Sequence, residues 1–448
     1  MIQNLTDLSR KLQSGKLTSR KLVETCFDAI SSAGDEAEKI FLIQYQARAI
    51  KTADWIDQGR KIGMVLPAHA GIPIAVKDLF DVKGEVTRAG SQVLDELPAA
   101  AKNAEIINRL QAAGFVIVGK NNMTEFAYSG LGVNAHFGTP FNPHDEKTPR
   151  VPGGSSSGAG VSVSRALVPA AIGTDTGGSC RIPAAFCGIV GFKPTSTRVP
   201  KTGAMPLSKT LDCVGPLTTS VSCAAVLDSI LSGGAGEDVA SFPEGGLRIG
   251  VLDGYVTELM DKQVGAAYER VLTRLSQRGV RLTPVSIPQI AELPKINSKG
   301  GFVGADAYAW HKELLETRSE FYDPWVRARF DAGKSQSAAD YIELGEKRHQ
   351  LRTLVAEKQY LFDALILPTV QIVAPTLAEL EDSKKSNEIN ILCLRNTAVG
   401  NFLDVPAISI PCHESGELPV GAMLFGMTGD DRKLLSIARG LEQVIRGR

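Results

Sequence analysis

The stretch Val168-Pro-Ala-Ala-Ile-Gly-Thr-Asp-Thr-Gly-Gly-Ser-Cys-Arg181 takes the chain from an apolar run into a turn that contains two adjacent glycines. Residues 168–173 have the length and apolar composition of a buried strand. A helix that begins near Ser157 is predicted before this strand, and Pro183 suits the first position of a helix after it. A helix, a strand, a tight turn and a further helix in this order indicate an α/β sheet.

Segments on both sides of this stretch continue the same alternation. Gly71 to Lys77 predicts a short buried strand that ends at a lysine, Ile106 to Ala113 predicts a helix, and residues 114–119 predict a second buried strand. Toward the C terminus, residues 262–278 predict an amphipathic helix, and strands are predicted at 247–252, 280–285, 365–368, 405–411 and 418–425. We expect one domain over residues 1–448, with N-terminal helices within 1–60 and a lid-like helical region at about 300–360.

The composition is that of an ordinary globular chain without a bias toward a charged partner. Of the 448 residues, 43% are hydrophobic and 22% are charged, and 49 basic residues balance 49 acidic ones. A net charge of zero gives no electrostatic basis for nucleic-acid binding. No apolar run approaches the roughly 18 residues of a membrane-spanning helix, and the polar start lacks the apolar core of a signal peptide.

Cysteine usage indicates the compartment. The seven cysteines are an odd number and form no metal-type Cys-x-x-Cys pair. Free, mostly buried thiols in a reducing cytoplasm are the simplest interpretation. We expect a cytoplasmic protein that uses neither a metal nor another cofactor.

The glycine turn within residues 173–181 places a serine where backbone amides can surround a reacting group. Without Cβ atoms, Gly177 and Gly178 allow N–H groups to approach a ligand closely, and successive N–H groups can form a nest for an anion. If Ser179 attacked a carbonyl carbon, these amides would stabilise the oxyanion. The same residues are equally compatible with a loop that only turns a corner.

A second serine-rich segment, Pro152-Gly-Gly-Ser-Ser-Ser-Gly158, also places a serine directly after two glycines. Its residues Gly154 to Gly158 match the Gly-x-Ser-x-Gly nucleophile elbow at Ser156, which needs a preceding strand and a partner histidine. The preceding residues are irregular, and no motif recommends any of the six histidines, which are His69, His136, His144, His311, His349 and His413. Neither segment continues to the Gly-Lys-Ser/Thr of a phosphate-binding loop.

A lysine can activate a serine without histidine if its amine is neutral. Burial lowers the pKa of a lysine from about 10.4 because it desolvates the charged form. Lys77 follows three apolar residues at a predicted strand end, and strand alternation points Asp78 to the opposite face. Lys77 is also compatible with a surface lysine that ends a strand. No Ser-x-x-Lys motif is present as an alternative.

Several blocks together resemble the amidase signature family over nearly the whole chain. They are Gly71-Ile-Pro-Ile-Ala-Val-Lys-Asp78, Gly119-Lys-Asn-Asn-Met-Thr-Glu-Phe126, the two serine-rich segments, Gly188-Ile-Val-Gly-Phe-Lys-Pro194 and Asp212-Cys-Val-Gly-Pro-Leu-Thr218. The resemblance implies an α/β fold in which a central mixed, twisted β-sheet is covered by helices on both faces. It also implies hydrolysis of a carboxamide C–N bond, with release of a carboxylate and of ammonia or an amine.

The resemblance further implies a Ser-Ser-Lys triad. Lys77 takes the position of the general base, Ser155 that of the bridging serine, and Ser179 that of the nucleophile that forms an acyl-enzyme. In the family, the peptide bond that holds the bridging serine is cis. The oxyanion hole is implied at the amides of the residues that lead up to and include the nucleophile, namely Thr176, Gly177, Gly178 and Ser179.

Roles around the triad are also carried over by position. Tyr128, Ser129 and Gly130 follow a block after which family members line the acyl pocket. Asp175 and Arg181 flank the nucleophile and are expected to brace its loop as a pair, with binding of a substrate carboxylate as the alternative for Arg181. The expected partner is a small-molecule amide, without nucleic acid or membrane, and a homodimer is implied by the family alone.

Two other functions are compatible with this resemblance. The glutaminase subunit of a tRNA-dependent amidotransferase shares the fold and the triad but passes ammonia to a partner, and the run around Arg352 is similar to a helix of that subgroup. The segment Gly416-Glu-Leu-Pro419 departs from the Asp-Gly-Leu-Pro frequent there, and residues 395–404 look more like stand-alone amidases. A non-enzymatic binding protein is the third function, but all triad positions are filled. We therefore predict a stand-alone amidase.

Overall fold

The computed structural model describes residues 4–447, whose strands form a single 11-stranded mixed sheet. In chain order the strands are β1 (Phe41–Gln44), β2 (Pro73–Lys77), β3 (Val116–Asn121), β4 (Ala170–Asp175), β5 (Val190–Lys193), β6 (Cys213–Thr218), β7 (Arg248–Leu252), β8 (Arg281–Val285), β9 (Ala364–Pro368), β10 (Ala407–Pro411) and β11 (Gly421–Phe425). Across the sheet they lie in the order β1-β3-β2-β4-β6-β5-β10-β11-β9-β7-β8. The predicted α/β fold with a central mixed sheet is confirmed.

Helices connect the strands. In chain order they are α1 (Leu5–Gln13), α2 (Ser19–Ser32), α3 (Asp35–Ile40), α4 (Gln46–Lys61), α5 (Glu105–Ala112), α6 (Ser157–Ser164), α7 (Arg181–Phe186), α8 (Val221–Ser232), α9 (Lys262–Gln277), α10 (Leu293–Ile296), α11 (Gly301–Thr317), α12 (Pro324–Gly333), α13 (Ala338–Gln359), α14 (Ser383–Leu394), α15 (Thr397–Leu403) and α16 (Asp431–Arg446). Short 3₁₀ turns lie at Glu125–Ala127, Pro288–Glu292, Ser319–Phe321 and Ala378–Leu380.

Alternating side chains of the central strands contribute to two separate cores. In β2, Ile74 and Val76 pack with apolar residues of α1, α5 and α8, whereas Ala75 packs with those of α2, α4 and α6. Successive strand residues point to opposite faces of the sheet, so helices on both faces are needed to remove these side chains from water. The fully buried interior of the sheet follows from this arrangement.

The parallel neighbours β2 and β4 define the edge of the sheet that matters for function. Val76 of β2 lies opposite Ile172 of β4. The carboxyl ends of parallel strands meet at the same edge of a sheet. Lys77 at the end of β2 and the glycine turn that follows Asp175 at the end of β4 therefore come together.

Most predicted elements are present, with ends that differ by a few residues. The helix expected to start at Pro183 begins at Arg181 instead, so Pro183 occupies its third position. The region around 300–360 contains α11, α12 and α13. Helix α8 has no counterpart among the predictions because it is buried on nearly every side and so lacks an amphipathic pattern.

All seven cysteines are buried and free in the structure, as the sequence predicts. The helices formed by residues 4–447 include none that combines the length and the apolar character needed to cross a membrane.

Replacement of Gly215 by alanine tests the close approach of strands β5 and β6. A Cβ atom there would lie 2.0 Å from the carbonyl oxygen of Phe192, so the strands would have to separate. We expect the free energy of unfolding, measured by urea denaturation, to fall by about 1–3 kcal/mol.

Gly265→Ala in α9 is the matched control. Its new Cβ atom meets nothing within 4 Å, so the higher helix propensity of alanine should raise the free energy of unfolding by about 0.5–1 kcal/mol. Equal stability of the Gly215→Ala variant and the unmodified protein would contradict this strand packing.

Candidate active site

The amine of Lys77 is fully buried and contacts two hydroxyl groups. Its Nζ atom lies 2.8 Å from Oγ of Ser155 and 2.9 Å from Oγ1 of Thr174, and its side chain has no exposed surface. Thr174 belongs to β4, so the strand pairing that positions the lysine also brings this hydroxyl to it. Among the residues that the structure describes, no carboxylate forms an ion pair with Lys77.

Burial lowers the pKa of Lys77 to about 7, because the charged amine loses its hydration. The nearby acidic groups of Cys180, Asp212 and Asp175 partly oppose this shift. Asp78 is engaged elsewhere, since it pairs with the equally buried Lys120 at 3.1 Å. An amine with this pKa exchanges protons near neutral pH, which suits a general base.

The three adjacent serines before α6 differ in their contacts. Oγ of Ser155 contacts Lys77, whereas the Ser156 hydroxyl donates to the backbone carbonyl oxygen of Thr174 at 3.3 Å. The third serine also donates to a backbone carbonyl oxygen. The peptide bond between Gly154 and Ser155 is cis. Only the first serine of the three is therefore hydrogen-bonded to the lysine, and the serine of the Gly-x-Ser-x-Gly match is not.

The two serine-rich segments touch each other. The amide of Ser156 donates to the carbonyl oxygen of Ser179 at 3.3 Å, and the carbonyl oxygen of Ser155 accepts from the amide of Thr124 at 3.0 Å. The first of these contacts joins the segment of residues 152–158 to the turn that carries Ser179, and the second joins it to the residues that follow β3.

The turn before Ser179 presents backbone amides that are not used within the fold. The N–H groups of Thr176, Gly177, Gly178 and Ser179 donate no hydrogen bond to any described residue. Gly178 has a φ of 139°, and a Cβ atom there would lie 2.2 Å from the Thr397 hydroxyl oxygen. That hydroxyl donates to the carbonyl oxygen of Gly177 at 2.6 Å. The turn thus needs a glycine for its shape and is held from outside, which leaves its donors available.

Asp175 and Arg181 form a fully buried, bidentate pair behind this turn. Nε and Nη2 of Arg181 lie 3.0 and 2.8 Å from the two carboxylate oxygens. Nη2 also donates to Asn401 at 2.7 Å, and Nη1 donates to the carbonyl oxygen of Thr397 at 2.9 Å. Burial raises the pKa of Asp175, but the charge and hydrogen bonds of Arg181 overcome this effect and hold the pKa at about 2. The guanidinium of Arg181 is therefore occupied by protein groups.

A cavity of about 450 Å³ opens onto the turn. Ser179, Thr176 and Gly177 line one side of it, and most of its remaining lining is apolar, as at Phe302 and Leu394. Arg181 does not line it. A largely apolar cavity with a few convergent polar groups is typical of a site for a small molecule.

Two of the three predicted pocket residues line this cavity. Tyr128 and Ser129 do so, but Gly130 does not. The Ser129 hydroxyl and the Gly130 amide both donate to Oδ1 of Asn390, each at 2.9 Å. Gly130 therefore supports the wall from behind.

The structure adds a cation that the sequence analysis missed. Arg329 of α12 lines the cavity and donates from Nη1 to the carbonyl oxygen of Tyr128 at 2.6 Å. It pairs with no described carboxylate, whereas Arg395, the other cation of the lining, pairs with Glu258 at 2.8 Å. No acidic side chain lines the cavity. Nothing in the sequence distinguishes Arg329 from the neighbouring Arg327, because only tertiary packing decides which of them faces inward.

The six histidines, all within residues 4–447, lie away from this chemistry. None of them lines the cavity, and none is hydrogen-bonded to Ser155, Ser156 or Ser179. His311 is one example, because burial lowers its pKa to about 3 and its Nδ1 atom lies 2.8 Å from the Tyr322 hydroxyl.

Comparison with known proteins identifies the family. A sequence model described as amidase matches residues 21–435. The chain is 33% identical to 2-amino-5-chloromuconic acid deaminase of Comamonas testosteroni, over 99% of this chain and 96% of that protein. It is also 33% identical to one of the subunits of the glutamyl-tRNA(Gln) amidotransferase of Chloroflexus aggregans, over 97% and 94% of the two chains.

The structural comparison agrees. A crystal structure of an amidase superimposes on this fold with a TM-score of 0.89 and 32% identity, and the match covers 98% of this chain and 99% of that chain. The chain belongs to the amidase family, known by its amidase signature, and is a hydrolase that acts on amide bonds.

Proposed function

We propose that the protein hydrolyses a carboxamide C–N bond through an acyl-enzyme on Ser179, with Lys77 as general base and Ser155 as proton relay. The observation that carries this proposal is the 2.8 Å contact between the buried Lys77 amine and the Ser155 hydroxyl. A neutral amine offers a lone pair, so the Ser155 hydroxyl can donate to it across this contact. The pKa of about 7 keeps a large fraction of the amine neutral at physiological pH.

The proposed reaction has two steps. Lys77 accepts a proton from Ser155, which accepts one from Ser179 as the Ser179 oxygen attacks the amide carbon. The C–N bond breaks as the proton returns through Ser155 to the nitrogen, so ammonia or an amine leaves and an ester remains on Ser179. Water, activated by the same relay, then attacks the ester and releases the carboxylate. Each proton that Lys77 accepts is returned within the cycle, and water is the co-reactant that the hydrolysis consumes.

The amides before the nucleophile are the proposed oxyanion hole. Those of Thr176, Gly177, Gly178 and Ser179 are free of protein acceptors, and the turn that carries them borders the cavity. Donors that are already in place stabilise the developing negative charge without reorganisation, and each contributes roughly 3 kcal/mol in comparable enzymes.

We also propose that the substrate carries a carboxylate on its acyl part. Arg329 supports this, because its guanidinium lines the cavity without a carboxylate partner and burial lowers its pKa, a cost that an anionic ligand would offset. The cavity is otherwise apolar and lacks acidic side chains. The deaminase relative is named for an acid, 2-amino-5-chloromuconic acid. Helices α11 and α12, which supply Phe302 and Arg329 to the cavity, are the proposed lid.

A glutaminase subunit is the second candidate function. It is favoured by the 33% identity to the amidotransferase relative over 97% of this chain. In that case the purified chain would need partner proteins for efficient turnover, whereas the stand-alone amidase that we propose turns over amides by itself.

Ser179→Ala tests the nucleophile. We expect it to abolish formation of an acyl-enzyme, detected as a mass increase of the intact protein after rapid acid quench, and to lower kcat by at least about 1,000-fold. The physical reason is that the other hydroxyl of this turn, that of Thr176, donates to Asp212.

Ser156→Ala is the matched control for the nucleophile. The Ser156 hydroxyl is bound to a backbone carbonyl oxygen rather than to Lys77, so this variant should keep its kcat within about tenfold and still accumulate the acyl-enzyme. Turnover that survives in Ser179→Ala but is lost in Ser156→Ala would favour the elbow serine instead.

Arg329→Gln tests the carboxylate proposal. The substrates are a matched pair, the monoamide of a dicarboxylic acid and the methyl ester of the same monoamide. A lost charge-assisted hydrogen bond costs roughly 1.5–3 kcal/mol, so kcat/KM for the acid should fall by about 10- to 150-fold. For the neutral ester it should change by less than about threefold.

Arg327→Gln removes a neighbouring cation of α12 that does not line the cavity. This control variant should retain the preference for the acid. The proposed role of Arg329 would be overturned if Arg329→Gln lowered kcat/KM equally for both substrates. It would also be overturned if Arg329→Gln preferred the acid as strongly as the wild type does.

A further inference from the structure

A buried carboxylate, Asp212, lies between the nucleophile turn and one wall of the cavity. It directly precedes β6, and its side chain is almost completely removed from solvent. Oδ1 accepts from the Thr176 hydroxyl at 2.5 Å. The carboxylate also accepts from the amide of Leu207 at 3.0 Å and from that of Ser208 at 3.1 Å. One carboxylate thus binds both the turn that carries Ser179 and the segment that contains Leu207 and Ser208, which forms a wall of the cavity.

The wall that Asp212 holds separates two cavities. In the segment of residues 204–212, Leu207 and Leu211 line the cavity beside Ser179. Met205 and Lys209 line a second cavity of about 180 Å³. The segment of residues 204–212 is therefore a wall shared by the two cavities, and its position affects the shape of the substrate cavity.

The turn itself has little rigidity of its own. Gly177 and Gly178 carry no Cβ atoms, and the four free amides cannot stabilise the turn by bonding to the protein without losing their availability. Side-chain contacts from outside have to fix it, and one of them is the bond of the Thr176 hydroxyl to Asp212. Another is the bond of the Thr397 hydroxyl to the carbonyl oxygen of Gly177.

We propose that Asp212 is a positioning residue for the reaction, which acts through the Thr176 hydroxyl to hold the amides of residues 176–179 where the oxyanion forms. The inference rests on the proposed acyl-enzyme mechanism and adds a residue that touches no reacting atom. Sites that stabilise a transition state depend on such supporting contacts, because a small displacement of a donor weakens its interaction with the developing charge.

Alanine at position 212 is the most informative substitution. It removes both carboxylate oxygens, so the Thr176 hydroxyl, bonded to Oδ1, and the Leu207 amide, bonded to Oδ2, lose their acceptor. Asparagine would be a weaker test, because its oxygen can still accept from the amide while the Thr176 hydroxyl accepts from its NH₂ group.

A double-mutant cycle tests the inference. The variants are Asp212→Ala, Thr176→Val, both together, and Thr176→Ser, each assayed with the same amide and checked for folding by circular dichroism. We expect each of the first two to lower kcat by about 10- to 100-fold with KM within about threefold, because a misplaced donor affects the transition state more than the ground state. The double variant should be no slower than the slower single variant. Thr176→Ser keeps the hydroxyl and should recover most of the kcat that Thr176→Val loses, because serine can donate to Asp212 as threonine does.

Ser208→Ala is the control for the wall. It removes the 2.6 Å bond from the Ser208 hydroxyl to Asp306 of α11 and the 3.2 Å bond that this hydroxyl accepts from the Leu211 amide, but leaves the backbone bonds to Asp212. It should keep kcat within about threefold of the wild type. The proposal would be overturned if the effects of Asp212→Ala and Thr176→Val on kcat multiplied in the double variant, or if Asp212→Ala kept a wild-type kcat. If either result occurred while Ser179→Ala was inactive, only the role of Asp212 would be refuted. If Ser179→Ala were active, the acyl-enzyme mechanism itself would be refuted.

Discussion

The amine of Lys77 lies 2.8 Å from the Ser155 hydroxyl with no surface exposed to water. A lysine in such a place is neutral near pH 7 only while the surroundings stay dry and free of a paired carboxylate. The architecture meets both conditions. Strand β2 lies inside the sheet between β3 and β4, helices cover both faces, and the adjacent Asp78 is paired with Lys120. The large mixed sheet is thus the means by which a lysine can act as a base.

The nucleophile turn imposes a second constraint, because donors that are kept for a ligand cannot also hold the loop together. The protein separates the two tasks. The amides of residues 176–179 stay free, while side chains behind the turn fix its shape. The Asp175–Arg181 pair, with Asn401 and Thr397, does this on one side, and Asp212 does so on the other. The buried charges around the site therefore support the geometry of the turn, whereas Arg329 lines the cavity without a carboxylate partner among the described residues.

The sequence carries much of this organisation but not all of it. Strand and helix patterns predict the α/β fold because apolar periodicity is local, and the block Gly173–Pro183 indicates a serine on a glycine turn from its own residues. Lys77 alone is ambiguous, since its dryness depends on strands that are far apart in the chain. Ser155 cannot be told apart from its two serine neighbours by sequence, because they differ only in the tertiary hydrogen-bond partners of their hydroxyl groups. Thr174 and Asp212 lie in blocks that resemble the family, but their contacts at the site depend on packing, and Arg329 has no local signal at all.

The pH dependence of kcat/KM tests the central claim most directly, because that claim is a neutral Lys77 in the free enzyme. The amine is active above its pKa and inactive below it. With the pKa lowered to about 7, kcat/KM for a neutral amide should be constant above about pH 8 and fall tenfold for each unit below about pH 6. The midpoint should lie near pH 7. A profile that stays flat down to about pH 5 would contradict the account, because the lysine would then be charged while the enzyme remained fully active.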